Sequence, residues 1–374
     1  MMVDLVELLK LMVRMDASDL FVTTDAPISI KVHGRIRSLN NEQLTADNTR
    51  EFAYSIMNEE QRSEFEASKE CNFALHPPEI GRFRVNVFVQ RGNVGVVMRT
   101  ISTRIPTFEE LQLPPVLSEI AMRKLGMVIL VGGTGTGKST TQAAMVGYRN
   151  RNTHEHIVTV EDPIEFVHVH DKCIITQREV GLDTKSFAVA LKNAMRQAPN
   201  VIQIGEIRDM DTMHNAIVFA ETGHLCLSTL HANNTYQALD RILNFFGEGR
   251  RSQLLMDLSM NLHALISQRL IPRKDGKGRV PAVEIMVCTP LIADLILRGE
   301  LEKIPEVIGR SKDYGMQTFD QSLFDLYMQG LISMEDALHN AESENNLRLR
   351  IKLEGPDAGK KKRPADEDSE LMTY

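Results

Sequence analysis

The stretch GGTGTGKST at residues 132–140 has the residue types and the spacing that phosphate binding requires. It matches the pattern G-x-x-x-x-G-K-[ST], between an apolar run and an amphipathic stretch that predict a buried strand and a helix. Glycines let backbone N–H groups wrap a phosphate, because no Cβ blocks the approach and positive φ costs little. Lys138 is then placed to reach the β- and γ-phosphates, and Ser139 to bind Mg²⁺. The candidate nucleotide-binding residues are Gly132, Gly133, Thr134, Gly135, Thr136, Gly137, Lys138, Ser139 and Thr140.

Two carboxylates that follow apolar runs are candidates for chemistry on that phosphate. The run HIVTV leads to Glu161, and VIQIG leads to Glu206 in the arrangement of a Walker B segment. Open α/β sheets bind ligands at the carboxyl ends of their strands, although an acidic residue there can also cap the next element. Hydrolysis needs a carboxylate that orients and activates water, so Glu206 is the leading candidate for the base. Glu161 is a candidate to position Mg²⁺ or the water.

His231 ends another predicted strand, in the sequence HLCLSTLH at residues 224–231. A single histidine at the end of a strand is more often structural than catalytic. This strand should lie beside the phosphate-binding loop, so sensing of the γ-phosphate or coupling to a neighbouring element is the functional alternative.

The segment at residues 82–99, RFRVNVFVQRGNVGVVMR, alternates apolar and polar side chains and predicts a β-hairpin. With a two-residue loop at Gly92 and Asn93, Arg99 pairs opposite Asn86 and shares a face with Arg84. Arginines on an exposed sheet face most often form only a solvated surface. Here a nucleotide site elsewhere in the chain needs positive charge against the γ-phosphate.

Length and composition place these residues in a globular, two-domain chain. The 374 residues are 43% hydrophobic and 25% charged, and the net charge of −7 gives no general attraction to nucleic acid. The four cysteines are scattered singly, which favours reduced thiols in the cytoplasm over disulfides or a zinc site. No apolar run approaches the roughly 20 residues that cross a bilayer, and no signal peptide is visible. We therefore expect no direct membrane insertion and no nucleic-acid partner.

Predicted elements alternate between strand and helix after residue 116, as in a mostly parallel sheet covered on both faces. The proline-containing segment 102–115 predicts a linker. Apolar spacing predicts one continuous helix from 48 to 65 and another from 251 to 267. The charged end of the chain, with few apolar residues, predicts disorder.

The motifs together resemble the secretion ATPase superfamily of type II secretion and type IV pili. The resemblance lies in GGTGTGKSTT, VTVEDPIEFVH, VIQIGEIRD, AETGHLCLSTLHAN and ISQRLIP, each in the expected order. The segments ASDL, RFRVNVF and GMQTFDQSL extend it to the retraction ATPases over residues 1–345. The tetracysteine zinc site of many assembly ATPases is missing, which favours retraction over assembly.

The resemblance implies an α/β fold in which a RecA-like P-loop ATPase domain, residues 116–345, follows a smaller α+β PAS-like domain, residues 1–101. Residues 102–115 are then the linker, and residues 346–374 a disordered charged tail. ATP and Mg²⁺ are the implied cofactors, bound between the subunits of a homo-hexamer. The implied roles are catalytic glutamate for Glu206, Asp-box residue and metal ligand with Ser139 for Glu161, His-box histidine for His231, and nucleotide-contacting arginines for Arg84 and Arg99.

Three departures from the retraction ATPases point to an accessory member of that group. Ala293 stands where the family has the first arginine of a leucine- and isoleucine-rich helix, Asn200 replaces an acidic residue, and Gln203 interrupts the Walker B strand. The chain also has an added tail. The implied partners are a sister retraction ATPase and the inner-membrane pilus platform protein, with the ring peripheral at the inner face of the cytoplasmic membrane.

Two hypotheses from different classes follow. The first is an ATP-hydrolysing ring motor that supports pilus retraction and twitching motility, and the second is a nucleotide-binding scaffold ring that mainly supports the sister ATPase. Lys138, Ser139, Glu161 and Glu206 favour the motor, because a scaffold has no chemical need for them. Ala293 favours the scaffold. A DNA-translocating ATPase is a distant third, since no nucleic-acid module is visible.

Overall fold

The computed structural model describes residues 4–355, which form α-helices and β-strands. The helices are Leu5–Arg14 (α1), Ala46–Ile56 (α2), Glu59–Ser68 (α3), Val116–Ala121 (α4), Lys138–Asn152 (α5), Phe187–Ala194 (α6), Met210–Glu221 (α7), Thr235–Phe246 (α8), Arg251–Asn261 (α9), Pro290–Arg298 (α10), Ile304–Arg310 (α11), Phe319–Met328 (α12), Met334–His339 (α13) and Glu344–Glu354 (α14). The strands are Ala17–Val22 (β1), Ser29–Val32 (β2), Arg35–Ser38 (β3), Glu70–Leu75 (β4), Arg82–Gln90 (β5), Asn93–Ile101 (β6), Gly126–Val131 (β7), His156–Glu161 (β8), Ile174–Glu179 (β9), Val201–Ile204 (β10), Leu225–Leu230 (β11), Leu262–Pro272 (β12) and Arg279–Val287 (β13).

The described residues fall into two compact units. Of the described residues, the first unit contains 4–107, 121–125 and 139–228, and the second contains 108–120, 126–138 and 229–355. The domain boundaries expected at residues 101, 115 and 345 stay a prediction.

The N-terminal part of the first unit is an antiparallel sheet in the order β3-β2-β1-β6-β5-β4. The alternation along β5 buries Phe83, Val85 and Val87 on one face, as the sequence predicts. Leu9 and Met12 of α1 pack into the same hydrophobic core. Strand alternation and helical spacing therefore meet in one α+β core.

The β5–β6 hairpin differs from the predicted register by two residues. Its loop is Arg91 and Gly92, with φ of 49° and 80°, rather than Gly92 and Asn93. A two-residue turn with positive φ at both positions matches the twist of the flanking strands, and glycine takes the second position without strain. Arg84 therefore pairs with Arg99, not Asn86 with Arg99. Because the shift is an even number, the predicted shared face of Arg84 and Arg99 is confirmed.

The prediction of a single helix from 48 to 65 is wrong, because α2 ends at Ile56 and a separate helix, α3, begins at Glu59. Asn58 caps α3: its side chain accepts the Gln61 N–H at 2.8 Å, and the Gln61 side chain accepts the Asn58 N–H at 2.9 Å. This reciprocal capping box gives a new helix start that apolar spacing alone does not reveal.

The remainder of the first unit contains parallel strands in the order β11-β10-β8-β9. Strands β10 and β11 are buried along their whole length, mostly with apolar side chains, as parallel strands covered on both faces require. Ile204 pairs with Val160, and the Gly205 N–H donates to the Val160 carbonyl at 2.8 Å. The carboxyl ends of β8 and β10 are thereby held side by side, where the candidate carboxylates follow.

In the second unit, β12 lies between β7, to which it is parallel, and β13, to which it is antiparallel. The helix predicted from 251 to 267 is wrong after Asn261, because Leu262–Pro272 forms β12. Short apolar runs fit a buried strand as well as a helix, and here both neighbouring strands supply hydrogen bonds. The fold is thus α/β, with parallel and antiparallel strands.

The prediction of a disordered tail from residue 346 is also wrong for the first part of that tail. Helix α14 extends to Glu354. Leu347 and Ile351 are buried in a core with Phe319 and Leu323 of α12, so two apolar side chains suffice to dock the helix. The basic and acidic runs of the predicted tail lie outside the described residues. Within residues 4–355, no helix is long and apolar enough to span a membrane.

Candidate nucleotide-binding site

The phosphate-binding loop of the second unit follows β7, in which every residue is buried. The Lys138 ammonium lies inside the loop, where it donates to the carbonyls of Gly132 at 2.8 Å and Gly133 at 2.7 Å. The lysine is only 7% exposed, so the loop encloses a fixed positive charge. Ser139 and Thr140 follow in the first turn of α5. This arrangement fits binding of a polyphosphate.

Two loop glycines leave no room for a side chain. A Cβ on Gly132 would lie 2.5 Å from Thr136 Oγ1 and 2.7 Å from the Gln268 carbonyl. Gly137 has φ of 88°, and a Cβ there would lie 2.7 Å from Gln268 Nε2. The backbone can therefore adopt the cradle only with glycine at both positions.

Gln268 holds the loop from β12, a role that sequence reasoning did not assign. Its Nε2 donates to the Thr136 carbonyl at 2.9 Å, and its side chain is buried. The available signal was its place in the segment ISQRLIP. The loop conformation thus depends on a strand far away in the chain.

His231 lines a polar cavity of about 470 Å³ beside the loop. The other lining residues are Gly133, Ala232, Asn233, Gln237, Asp240, Arg241 and Asn244. The histidine and the phosphate-binding loop therefore border one space within the second unit, as the sequence predicts for neighbours in the fold.

Glu284 is a second buried group that sequence reasoning missed. It lies on β13, and its Oε1 accepts both the N–H and the hydroxyl of Thr235, the first residue of α8. Burial raises the pKa of Glu284 to about 7, while the hydrogen bonds from Thr235 lower it. The carboxyl group anchors the start of α8, directly after the segment that contains His231.

Glu161 ends β8 in the first unit and is 8% exposed. Its Oε1 accepts the Thr159 hydroxyl at 2.6 Å and the Gln177 amide at 3.3 Å. Burial raises the pKa of this carboxyl group to about 7, and the two hydrogen bonds act in the opposite direction. The group is fixed in orientation and desolvated, which suits a metal ligand or a group that positions water.

Glu206 follows β10, so the paired strands bring it to the same edge as Glu161. Its carboxylate forms an ion pair with Arg208, whose Nη1 also lies 3.3 Å from Asp162 Oδ2. Arg208 therefore connects the segment after β10 with the segment after β8. The predicted Walker B and Asp-box segments are adjacent in the structure.

Arg84 reaches the Asp-box segment from the N-terminal sheet. Its Nη2 lies 3.6 Å from Glu179 Oε1 and donates to the Ile164 carbonyl at 3.4 Å. Burial lowers the pKa of this guanidinium, and Glu179 is the strongest opposing influence. Arg99 instead donates through Nε to Asp19 Oδ1 at 2.8 Å within the N-terminal sheet. Glu179 was not predicted from the sequence.

The structure places the candidate residues in two groups, each within one unit. The first unit contains Glu161, Glu206, Arg84, Arg99, Ser139 and Thr140, and the second contains His231 and Gly132 to Lys138. No group of three or more His, Cys, Asp or Glu side chains suited to a metal ion occurs in the described part of the chain. The metal ligands Ser139 and Glu161 stay a prediction.

The chain is similar to known secretion and pilus ATPases over most of its length. A family model described as type II/IV secretion system protein matches residues 2–324. The type IV pilus ATPase PilU of Pseudomonas aeruginosa is 56% identical over 347 residues, covering 93% of this chain and 91% of that protein. The type IV pilus retraction ATPase PilT of the same organism is 41% identical, covering 92% of this chain and 99% of PilT. A crystal structure of the retraction motor PilT with bound ADP superposes with a TM-score of 0.86 at 39% identity, covering 93% of this chain and 99% of that one.

Proposed function

The chain belongs to the type II/IV secretion system protein family, and from that premise we propose that it is an ATPase that supports type IV pilus retraction. The observation that carries the proposal is the enclosed Lys138 ammonium in a glycine cradle. The similarity to PilU and PilT over more than nine-tenths of the chain supports the pilus as the target.

ATP is the proposed substrate, with its phosphates on the N–H groups of the loop and on Lys138. When bound, Mg²⁺ would supply charge neutralisation at the β- and γ-phosphates, and Ser139 and Glu161 are the residues proposed to hold it. The glycine cradle fits the phosphates, while the hydroxyl and carboxylate oxygens are ligand types that Mg²⁺ prefers.

Glu206 is the proposed base. It accepts a proton from water as the water oxygen attacks the γ-phosphorus, the bond to the β–γ bridging oxygen breaks, and ADP and phosphate leave. Arg208 holds the Glu206 carboxylate, so Arg208 must release or share it as the water binds. His231 is proposed to sense the γ-phosphate.

The proposed assembly is a homo-hexamer in which Arg84 and Arg99 act on the ATP of a neighbouring subunit. We further propose a RecA-like core, a PAS-like N-terminal domain, and a peripheral location at the inner face of the cytoplasmic membrane. The sister retraction ATPase and the pilus platform protein are the proposed partners.

A scaffold ring remains the second candidate because of Ala293. This residue lies half-buried on α10, a helix that contains none of the candidate nucleotide-binding or catalytic residues. Measuring ATP turnover together with hexamer formation in the purified protein separates the two functions. Turnover that depends on Glu206 supports the motor, whereas hexamers without turnover support the scaffold.

A further inference from the structure

Glu179 is a buried carboxylate that none of the recognised nucleotide-binding motifs contains. It ends β9, is 5% exposed, and pairs directly with Glu161 on β8. Its Oε2 accepts the Ile164 N–H at 3.2 Å, and its own N–H donates to Asp183 Oδ2 at 2.8 Å. Its carbonyl also accepts the Asp183 N–H at 2.8 Å. Both the backbone and the carboxylate are therefore fixed by the first unit itself.

Each oxygen of this carboxylate faces one arginine of β5. Arg84 Nη2 lies 3.6 Å from Oε1, and Arg82 Nη2 lies 3.8 Å from Oε2. Ile164 completes the arrangement, because its N–H holds Glu179 and its carbonyl accepts from Arg84 at 3.4 Å. Arg84 is thus held by two groups whose own positions are fixed.

The contact leaves the arginines suited to bind a phosphate. Both distances to Glu179 exceed a hydrogen bond, so the attraction is ionic and does not use the guanidinium donors. Arg84 has five N–H donors, and one of them is used by the Ile164 carbonyl. Two guanidiniums beside one carboxylate also leave a net positive charge on these three side chains.

We propose that Glu179 is the positioning residue that aims Arg84 at the γ-phosphate of the ATP bound by a neighbouring subunit. The proposal rests on the proposed function, in which Arg84 contacts that ATP. A free arginine side chain loses rotamer entropy when it is ordered. Glu179 orders the guanidinium before the neighbour's nucleotide arrives, so less of that cost falls on the transition state.

The test uses ATP turnover by the full chain assembled into rings. Glu179→Gln keeps the size of the side chain and an oxygen for the Ile164 N–H but removes the charge that holds Arg84. We expect kcat to fall roughly 10- to 100-fold, since a misplacement of about 1 Å has such effects, while KM changes less than about twofold. Glu179→Asp keeps the charge and should retain an intermediate kcat. Glu60→Gln is the matched control, because Glu60 is exposed on α3 and lies outside every motif segment.

A double-mutant cycle shows whether Glu179 acts through Arg84. Release of radiolabelled phosphate measures the slow residual turnover of Arg84→Ala, and adding Glu179→Gln should lower it less than twofold further. An equal further loss in that background, or wild-type kcat in folded Glu179→Gln rings, overturns the proposal. If Glu179→Gln does not fold, the kcat of Glu179→Asp tests the proposal instead. A kcat equal to that of the wild type in Glu179→Asp counts against a positioning role. Wild-type turnover in Arg84→Ala would instead overturn the proposed role of Arg84 itself.

Discussion

Arg84 and Arg99 face each other across the β5–β6 pair, yet each lies against a different buried carboxylate. Arg84 lies against Glu179 of β9, and its side chain is 26% exposed. Arg99 lies against Asp19 of β1, and its side chain is 65% exposed. The two arginines therefore differ in their contacts. Arg84 contacts a strand beside the candidate active-site carboxylates, whereas Arg99 contacts only its own N-terminal sheet.

Replacing Glu206 with Gln should abolish hydrolysis and preserve nucleotide binding. The amide cannot accept the proton of the attacking water, so turnover should fall on the order of 10²- to 10⁴-fold. The affinity for a fluorescent ATP analogue should stay within about threefold, because the phosphate contacts of the loop remain. Glu335→Gln, an exposed change on α13, is the control. Near-normal turnover in Glu206→Gln would move the role of base to Glu161.

Replacing Lys138 with Ala should weaken nucleotide binding itself. The variant loses charge-assisted hydrogen bonds to the phosphates, so the dissociation constant should rise roughly 10- to 100-fold. Titration of the same fluorescent analogue measures it. An unchanged dissociation constant would contradict the assignment of the loop as the phosphate site.

Arg84→Ala should lose nearly all turnover, because such arginines contribute on the order of 10³–10⁵ in rate when they act on a neighbouring active site. Mixing Arg84→Ala with Lys138→Ala subunits should restore part of the activity, since some interfaces then contain an intact loop and an intact arginine. Mass spectrometry of differently tagged subunits confirms that the rings are mixed. Absence of recovery in mixed rings indicates a role within one subunit.

Glu284→Gln should stabilise the protein at alkaline pH. The pKa of Glu284 is raised by burial from 4.5 to about 7, so the folded state binds this proton more tightly than the unfolded state. The resulting stability is complete below about pH 4.5 and is lost as the pH rises through about 7. The free energy of unfolding of the variant, relative to wild type, should therefore increase between pH 5 and pH 8 by roughly 2 kcal/mol.

Chemical unfolding at several pH values measures this difference, and Glu335→Gln on α13 is the control because Glu335 is exposed. The same constant difference at pH 5 and pH 8 would contradict a neutral Glu284 in the folded protein.

From the presence of Ala293 we predict that this protein hydrolyses ATP but does not drive pilus retraction alone. Where the related helix has an arginine, alanine removes up to five donors and a fixed charge, whereas the phosphate-binding contacts lie in other segments. Pilus retraction should be absent in cells that have this protein but lack the sister ATPase. With the sister present, retraction force should fall when Glu206 is replaced. Retraction at normal frequency and force without the sister refutes the accessory role.

The sequence predicted elements correctly where an apolar periodicity extended over many residues or where several motif residues lay close together in the chain. The glycine loop, the strand before it and the shared face of Arg84 and Arg99 are confirmed, because local chemistry determines each of them. Glu179, Gln268 and Glu284 were not foreseen. Each acts through a partner at least 49 residues away, such as Thr235 for Glu284, and the sequence does not show which strand lies beside it.

Two of the wrong predictions, the helix continuing after Asn261 and the disorder from residue 346, share one physical origin, which is competition between local patterns and distant contacts. The run after Asn261 could have continued α9, but hydrogen bonds to β7 and β13 made it a strand. The polar composition after residue 345 suggested no core, yet Leu347 and Ile351 found one already formed by α12 and β13.

The docking of α14 determines where the chain can safely be shortened. A protein cut at residue 345 would lose Leu347 and Ile351, whose burial contributes roughly 3–6 kcal/mol, and would leave Phe324 without Arg350, whose guanidinium lies 4.0 Å from the ring centroid. The apolar surface exposed by the truncation would promote aggregation. For crystallisation or limited proteolysis, Gly355 is therefore the earliest sensible end point.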